Sequence, residues 1–248
     1  MGFWTIVDKV IEKVDIVLLL VDARMPELSK NNTLKRLIDR NRKQLVLVFT
    51  KSDLVFRKDL VNLKRVYPYA FLVSGVKNIG VNKLKRSLLI MAKRQGIEVP
   101  RIGVVGYPNV GKSALINAMA KRARAKVAPR AGTTRGVQWI RAGGLEILDS
   151  PGVVPYEDSE VKLGIIGAKD PEKMRNKERV ACEIIGFIVE KDKNILEEFY
   201  GTRLEGDSYE MLLEIGKRRG FLIKGGKIDE NRTATQIIRD WQQGRLRV

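Results

Sequence analysis

Eight residues, Gly106-Tyr107-Pro108-Asn109-Val110-Gly111-Lys112-Ser113, follow a short apolar run at 102–105 and precede a helix-forming segment that begins Ala114-Leu115-Ile116. A strand, a glycine-rich turn and a helix in that order make a cradle for a phosphate chain. Backbone N–H groups of Asn109, Val110, Gly111, Lys112, Ser113 and Ala114 can close around an anion, and the helix adds its positive end. Lys112 would reach the outer phosphates and the Ser113 hydroxyl would ligate Mg²⁺. The amide oxygen of Asn109 could join phosphate oxygens around a monovalent cation such as K⁺. Asp149-Ser150-Pro151-Gly152 stands 43 residues beyond Gly106, at the end of another apolar run. There Asp149 could hold the metal's shell, and the Gly152 N–H could approach a γ-phosphate. Between the two motifs either hydroxyl of Thr133-Thr134 could close on Mg²⁺; Thr134 is carried forward as the ligand and, with Lys112, as support for the transition state. The remaining chemistry lies upstream. Thr50-Lys51-Ser52-Asp53 follows an apolar run, and Asp53 can accept from the N1–H and 2-amino edge of guanine, which adenine does not offer. The Lys51 stem can lie along the base, and Ser74-Gly75 can present an N–H to the guanine carbonyl.

Short buried strands must position these groups. Unbroken apolar runs at 16–21, 45–49 and 70–73 alternate with helical patterns at 3–14, 29–41, 60–66 and 80–95, ahead of the run at 102–105. Runs of this kind suit strands covered on both faces, so the alternation predicts a mostly parallel sheet with helices on both sides. Ser29 is expected to cap its helix. The turn Asp22-Ala23-Arg24-Met25-Pro26 falls at a strand's C-terminal end, where ligand loops gather. Residues 137–141 and 145–148 flank Gly143-Gly144 as a hairpin. Beyond 156 the pattern becomes helical, at about 171–190, 193–200, 207–219 and 231–243, which predicts domains at 1–156 and 157–248.

Composition narrows the partners. The 248 residues carry a net charge of +18, and 44% of them are hydrophobic. Residues 1–155 hold 29 lysines and arginines against 11 acids, whereas 156–248 hold 18 of each. A domain that basic favours a polyanion, usually nucleic acid. No apolar run approaches the roughly 20 residues needed to span a bilayer, and the acid-containing start is unlike a signal peptide. A single cysteine, Cys182, excludes an internal disulfide and favours a reducing, cytoplasmic setting. Its apolar neighbours mark it as a core residue. The chain has no histidine, so a histidine base is excluded and no side chain is assignable as the catalytic base.

The motifs run in the order base, base, phosphate, switch, sensor. With GYPNVGKSALIN, GTTRGVQW, LDSPG, the Asp22–Pro26 turn and the closing GGKIDENRTATQIIRDWQQGRLR, that order resembles the circularly permuted GTPases of the YlqF/YawG (RbgA-like) ribosome-assembly family. The resemblance extends over most of the chain. It implies a P-loop GTPase domain of permuted strand order followed by a small all-α domain. It also implies slow GTP hydrolysis stimulated by a ribosomal subunit or K⁺, with the large-subunit precursor and its rRNA as partners of a cytoplasmic monomer. Two departures stand out: Thr50 occupies a position where the family usually has Asn, which puts the support of the loop in doubt, and the histidine that some members carry near the N-terminus, implicated in hydrolysis, is absent here. Val153 follows Gly152 where conventional GTPases often carry a water-orienting Gln, and a hydrophobic residue there also resembles the family, which is taken to position water by another means. A P-loop NTPase of another class and a static RNA-binding scaffold are the alternatives.

Overall fold

The structure, a computed structural model, describes residues 3–120 and 139–248. It divides into two compact units, Met1–Pro155 and Tyr156–Val248. Thr133 and Thr134 lie outside the described residues.

In the first unit, helix α1 (Phe3–Glu12) leads into β1 (Ile16–Asp22), all seven of whose residues are buried. Short α2 (Pro26–Ser29) and then α3 (Asn32–Arg40) carry the chain to β2 (Gln44–Thr50). Next come α4 (Arg57–Val66), a two-residue β3 (Phe71–Leu72), α5 (Val81–Arg94) and β4 (Arg101–Val105). Helix α6 (Lys112–Ala120) follows the glycine loop, and β5 (Trp139–Arg141) and β6 (Glu146–Asp149) complete the sheet. The strand order is β3-β2-β1-β4-β6-β5. Every neighbouring pair is parallel except β5 and β6, which form the expected antiparallel hairpin.

That order fixes where a ligand can sit. The chain runs outward from β1 to β3, returns to the other side of β1 as β4, then reaches the far edge as β5 and turns back to place β6 between them. The reversal lies between β1 and β4, and the crevice beyond their C-terminal ends is the preferred binding place in such sheets. On one face Val17, Leu19 and Val21 are buried with residues of α1, α3 and α4. Ile16, Leu18 and Leu20 are equally buried on the other, the side left to α5 and α6.

One capping expectation is corrected. The cap of α3 is Asn31, whose side chain accepts from the Leu34 N–H. Ser29 ends α2 instead, and its hydroxyl bonds around the Asp22 and Met25 backbone. Two polar residues stand close together there, and only the geometry of the intervening turn decides which one caps.

The second unit is helical: α7 (Glu160–Ile165), α8 (Lys177–Asp192), α9 (Asn194–Tyr200), α10 (Ser208–Arg218) and α11 (Glu230–Gln242). Helix α8 starts later than its pattern suggests, because Asp170 caps a separate 3₁₀ turn at Pro171–Lys173. Helix α7, six residues long and capped by Ser159, is too short to show a helical period in sequence. Ile184, Ile185 and Ile188 of α8 and Ile237, Ile238 and Trp241 of α11 are fully buried. The Trp241 indole donates to the Ile165 carbonyl at 2.7 Å, tying α11 to the end of α7. Cys182, on α8, is half-buried, and burial raises its thiol pKa. Its expected place in the core is therefore only partly realised.

Candidate functional site

The C-terminal ends of β1, β2, β4 and β6 deliver Asp22, Thr50, the loop after Val105, and Asp149 to one edge of the sheet. Within the loop, Asn109 adopts the left-handed conformation (φ 57°), which an Asn side chain tolerates. Lys112, the first residue of α6, is only 8% exposed. Its ammonium folds back over the loop, donating to the Tyr107 carbonyl at 2.6 Å and the Gly106 carbonyl at 3.3 Å. Burial lowers its pKa to about 8, against the opposing pull of Asp149. The effects on Asp149 run the other way. Burial raises its pKa, while Lys112 and the Ser150 N–H work to lower it.

Asp149 Oδ1 is buried and has no hydrogen-bond partner among the described residues. A carboxylate oxygen left in that state is poised for a cation, and Ser113 adds an exposed hydroxyl in the first turn of α6. The residues present therefore suit Mg²⁺.

The sensor segment packs directly on the loop. A Cβ at Gly152 would stand 2.6 Å from the Pro108 nitrogen and 2.7 Å from its Cα, so only glycine permits this approach. The next N–H, that of Val153, donates to the Gly106 carbonyl at 3.4 Å. Val153 itself is 1% exposed and belongs to the core formed with α1 and α3. Its carbonyl accepts from the side-chain amide of Asn31 at 3.4 Å. A side chain at 153 thus faces the protein interior and cannot orient water.

At the C-terminal end of β2, Thr50 does support the glycine loop. Its hydroxyl lies 2.5 Å from the Val110 carbonyl and 3.1 Å from that of Val21. Thr50 is buried, so this hydroxyl ties the end of β2 to both the phosphate loop and β1. Lys51 follows in the left-handed conformation (φ 55°) and places its ammonium 2.8 Å from Asp22 Oδ2. Arg24 grips the same carboxylate through Nε (3.1 Å) and Nη2 (2.9 Å), while its backbone N–H donates to Oδ1 at 3.0 Å. Burial alone would raise the Asp22 pKa, but Arg24 and Lys51 together hold it down at about 2. Burial also lowers the pKa of Lys51, opposed by Asp22. Asp53 is half-buried within the 3₁₀ turn Ser52–Leu54.

Ser74 and Gly75 differ in what they can offer a base. The Ser74 N–H is engaged with the Ile79 carbonyl at 3.0 Å, which leaves the Gly75 N–H as the donor of the pair. A Cβ on Gly75 would come within 2.5 Å of the Ala114 carbonyl carbon, so this loop rests against the first turn of α6. Thr50 and Gly75 therefore both link the loops that follow β2 and β3 to the glycine loop and the first turn of α6, one by a hydrogen bond and one by contact. Asp22, Arg24 and Asn31 also support these loops; sequence reasoning places the Asp22–Pro26 turn at the ligand-loop edge but assigns no contact to any of the three. The available signal is an acid at a strand's C-terminal end with a base two residues on.

Residues 101–215 match the family described as 50S ribosome-binding GTPase. The chain is 37% identical over 243 residues to a GTP-binding protein of Methanocaldococcus jannaschii, a match covering 97% of this chain and 65% of that protein. It is 34% identical over 247 residues to ribosome biogenesis GTPase A of Priestia megaterium, covering 92% of this chain and 85% of the relative. Nuclear/nucleolar GTPase 2 of Arabidopsis thaliana is 32% identical, and the chain spans 43% of its length. Two solved structures share the fold. The GNP-bound YlqF from T. maritima has 22% identity and a TM-score of 0.57, with 93% of this chain and 89% of that one covered. The GDP-bound YlqF has 23% identity and a TM-score of 0.63, with 98% and 96% covered.

Proposed function

Because this chain belongs to the family of ribosome biogenesis GTPase A, we propose that it binds and slowly hydrolyses GTP, and that its nucleotide state governs its action on a large-ribosomal-subunit precursor. The observation that carries this reading is the Thr50–Val110 hydrogen bond. It makes the base loop and the phosphate loop one preorganised surface despite the permuted chain order and the missing Asn.

Each residue has a part. Asp53 selects guanine, the Lys51 stem covers the base while Asp22 holds its ammonium, and the Gly75 N–H meets the guanine carbonyl. Asn109, Val110, Gly111, Lys112, Ser113 and Ala114 surround the phosphates. Ser113 and Asp149 would hold Mg²⁺, with Thr134 as third protein ligand; the ion would screen the β- and γ-phosphate oxygens. The positive charge of Lys112 and the Gly152 N–H face the charge that develops as the γ-phosphate leaves. Val153 is buried, so the attacking water is oriented by something other than that side chain. A K⁺ ion at Asn109 and the ribosomal particle are the sources we assign. The sensor leads through Pro155 into the helical unit, a short covalent route by which the γ-phosphate can affect that unit. The protein acts as a monomer in the cytoplasm, with rRNA as its target. Among the described residues no helix is long and apolar enough to cross a membrane.

Comparing GTP with ATP affinity tests the base assignment, and Asp53→Asn is expected to move preference toward xanthosine triphosphate. Unchanged GTP binding by that variant would overturn it. GTP turnover is expected to rise in K⁺ over Na⁺ and with added large-subunit precursor. Equal affinity of the precursor for the GTP-analogue and GDP forms would rule out the switch. A Lys112→Ala protein that still supports subunit assembly in cells would favour a static scaffold instead.

A further inference from the structure

The β3 edge of the sheet carries a charge pattern that the nucleotide site does not use. Between positions 57 and 97 the sequence has ten lysines and arginines and a single acid, Asp59. Arg57, Arg65, Lys83 and Arg86 stand exposed there without a carboxylate partner among the described residues. Other cations of the chain do meet carboxylates, as in Lys162–Asp158, Lys193–Glu197 and Arg245–Asp240. The unpaired cations also fall in register. On α4, Arg57 and Arg65 are two helical turns apart on one side, with Val61 between them. On α5, Lys83, Arg86, Lys93 and Arg94 recur along the exposed side over about 16 Å of helix.

The two stripes meet at the edge strand. Lys64 of α4 has its pKa lowered by burial and then by the positive charge of Lys83 on α5. Between α4 and β3 lies a groove with Leu60, Val61 and Leu72 as its apolar floor and Arg57, Lys64 and Arg65 on its rim. Just beyond α4, the Tyr69 side chain is 92% exposed. Like charges concentrated in this way destabilise the fold by mutual repulsion, and a polyanion would relieve it. Cations repeated at intervals along two helices match the repeating charge of a phosphate backbone. An exposed aromatic ring beside them suits stacking on an unpaired base.

We infer that the β3 edge, with α4 and α5 flanking it, is a docking surface for the phosphate backbone of RNA. The inference rests on the reading of this chain as a GTPase that acts on ribosomal RNA, and it adds which surface meets that RNA. The test uses the full chain and a fluorescent RNA hairpin of about 20 base pairs with a single-stranded tail, titrated at several salt concentrations. Arg57→Glu/Arg65→Glu and Lys83→Glu/Arg86→Glu are each expected to lower RNA affinity about tenfold or more near 0.1 M salt. Each should also reduce the slope of log affinity against log salt by about 2. Lys9→Glu/Lys13→Glu on α1 makes the same change in net charge and is expected to have much less effect. GTP-analogue affinity, measured in every variant, should stay at the wild-type value and so report an intact fold. Equal loss in the α1 variant, or none in the edge variants, would overturn the surface while leaving RNA as the partner. Failure of the wild-type protein to bind the hairpin would overturn the RNA reading itself. If the edge variants lose binding to polyglutamate but keep RNA, the surface is for an acidic protein and the inference is wrong.

Discussion

The Thr50 hydroxyl ties the end of β2 to the glycine loop, and its contribution can be isolated. Thr50→Val keeps the shape but leaves the buried Val110 carbonyl without its donor, a loss of about 1–2 kcal/mol. Isothermal titration is expected to show GTP and GDP affinity falling together by roughly fivefold to thirtyfold. Thr50→Asn, whose amide N–H can reach the same carbonyl, should retain most of the affinity. Equal loss in both variants would argue against the hydrogen bond. Lys112 makes the opposite kind of contribution, since its charge is held in place at a cost to the nucleotide-free fold. The folded pKa of about 8 lies below the ordinary lysine value of 10.5, so the unfolded chain binds more protons between those values. Stability of the nucleotide-free protein should therefore rise with pH across that window, and the penalty should be fully present below about pH 8. Lys112→Met is expected to stabilise the nucleotide-free protein at pH 7 by as much as about 3 kcal/mol in urea unfolding while removing tight GTP binding. A less stable variant would contradict this. Much at this scale is legible in the sequence, because glycine, lysine and carboxylate at fixed spacing announce phosphate chemistry. The roles of Asp22 and Asn31 are not. Each acts on a residue distant in sequence, Lys51 or Val153, that only the folded sheet brings near.

At the scale of elements, the strands are legible nearly to the residue. Fully buried parallel strands leave unbroken apolar runs such as 16–21, and the hairpin is marked by its glycine pair. The helices are less evenly so. Helix α7 has too few residues to show a period, and α4, with no fully buried residue, extends three residues further toward the N-terminus than its apolar pattern shows. The loop carrying Ser74-Gly75 shows why contacts between elements escape sequence reading: it rests on the backbone of α6 through a space that a single methyl group would fill. Gly75→Ala is expected to push that loop off α6 and weaken GDP and GTP binding alike by about tenfold, with the fold retained by circular dichroism. Unimpaired binding would mean that the contact is dispensable. Asn31→Ala removes both the α3 cap and the bond to the Val153 carbonyl. A loss of about 1–2 kcal/mol in stability is expected from the cap. Faster hydrogen exchange at Val153 would show the sensor's anchor loosened as well.

For the whole molecule, the contrast between a strongly basic first part and a balanced second part is visible in composition alone. The ordering of that charge is not, because α4 and α5 approach each other only where the sheet ends. Since each unit has its own buried core, ligand effects can be followed unit by unit. GDP at about 100 times its Kd should add about 2.7 kcal/mol of exchange protection to β1, β2 and β4, and no change there would mean that nucleotide does not bind at this sheet edge.

The burial of Val153 has one further consequence. The chain leaves the sensor, passes through the core of the first unit and emerges only after Pro155. A splice placed after Pro155 would keep sensor, anchor and nucleotide loops together on one side of the joint. Chimaeras that graft the helical unit of one relative onto the first unit of another would thus inherit the loops, the sensor and its anchor from a single parent, and exchanging the graft would leave that inheritance untouched.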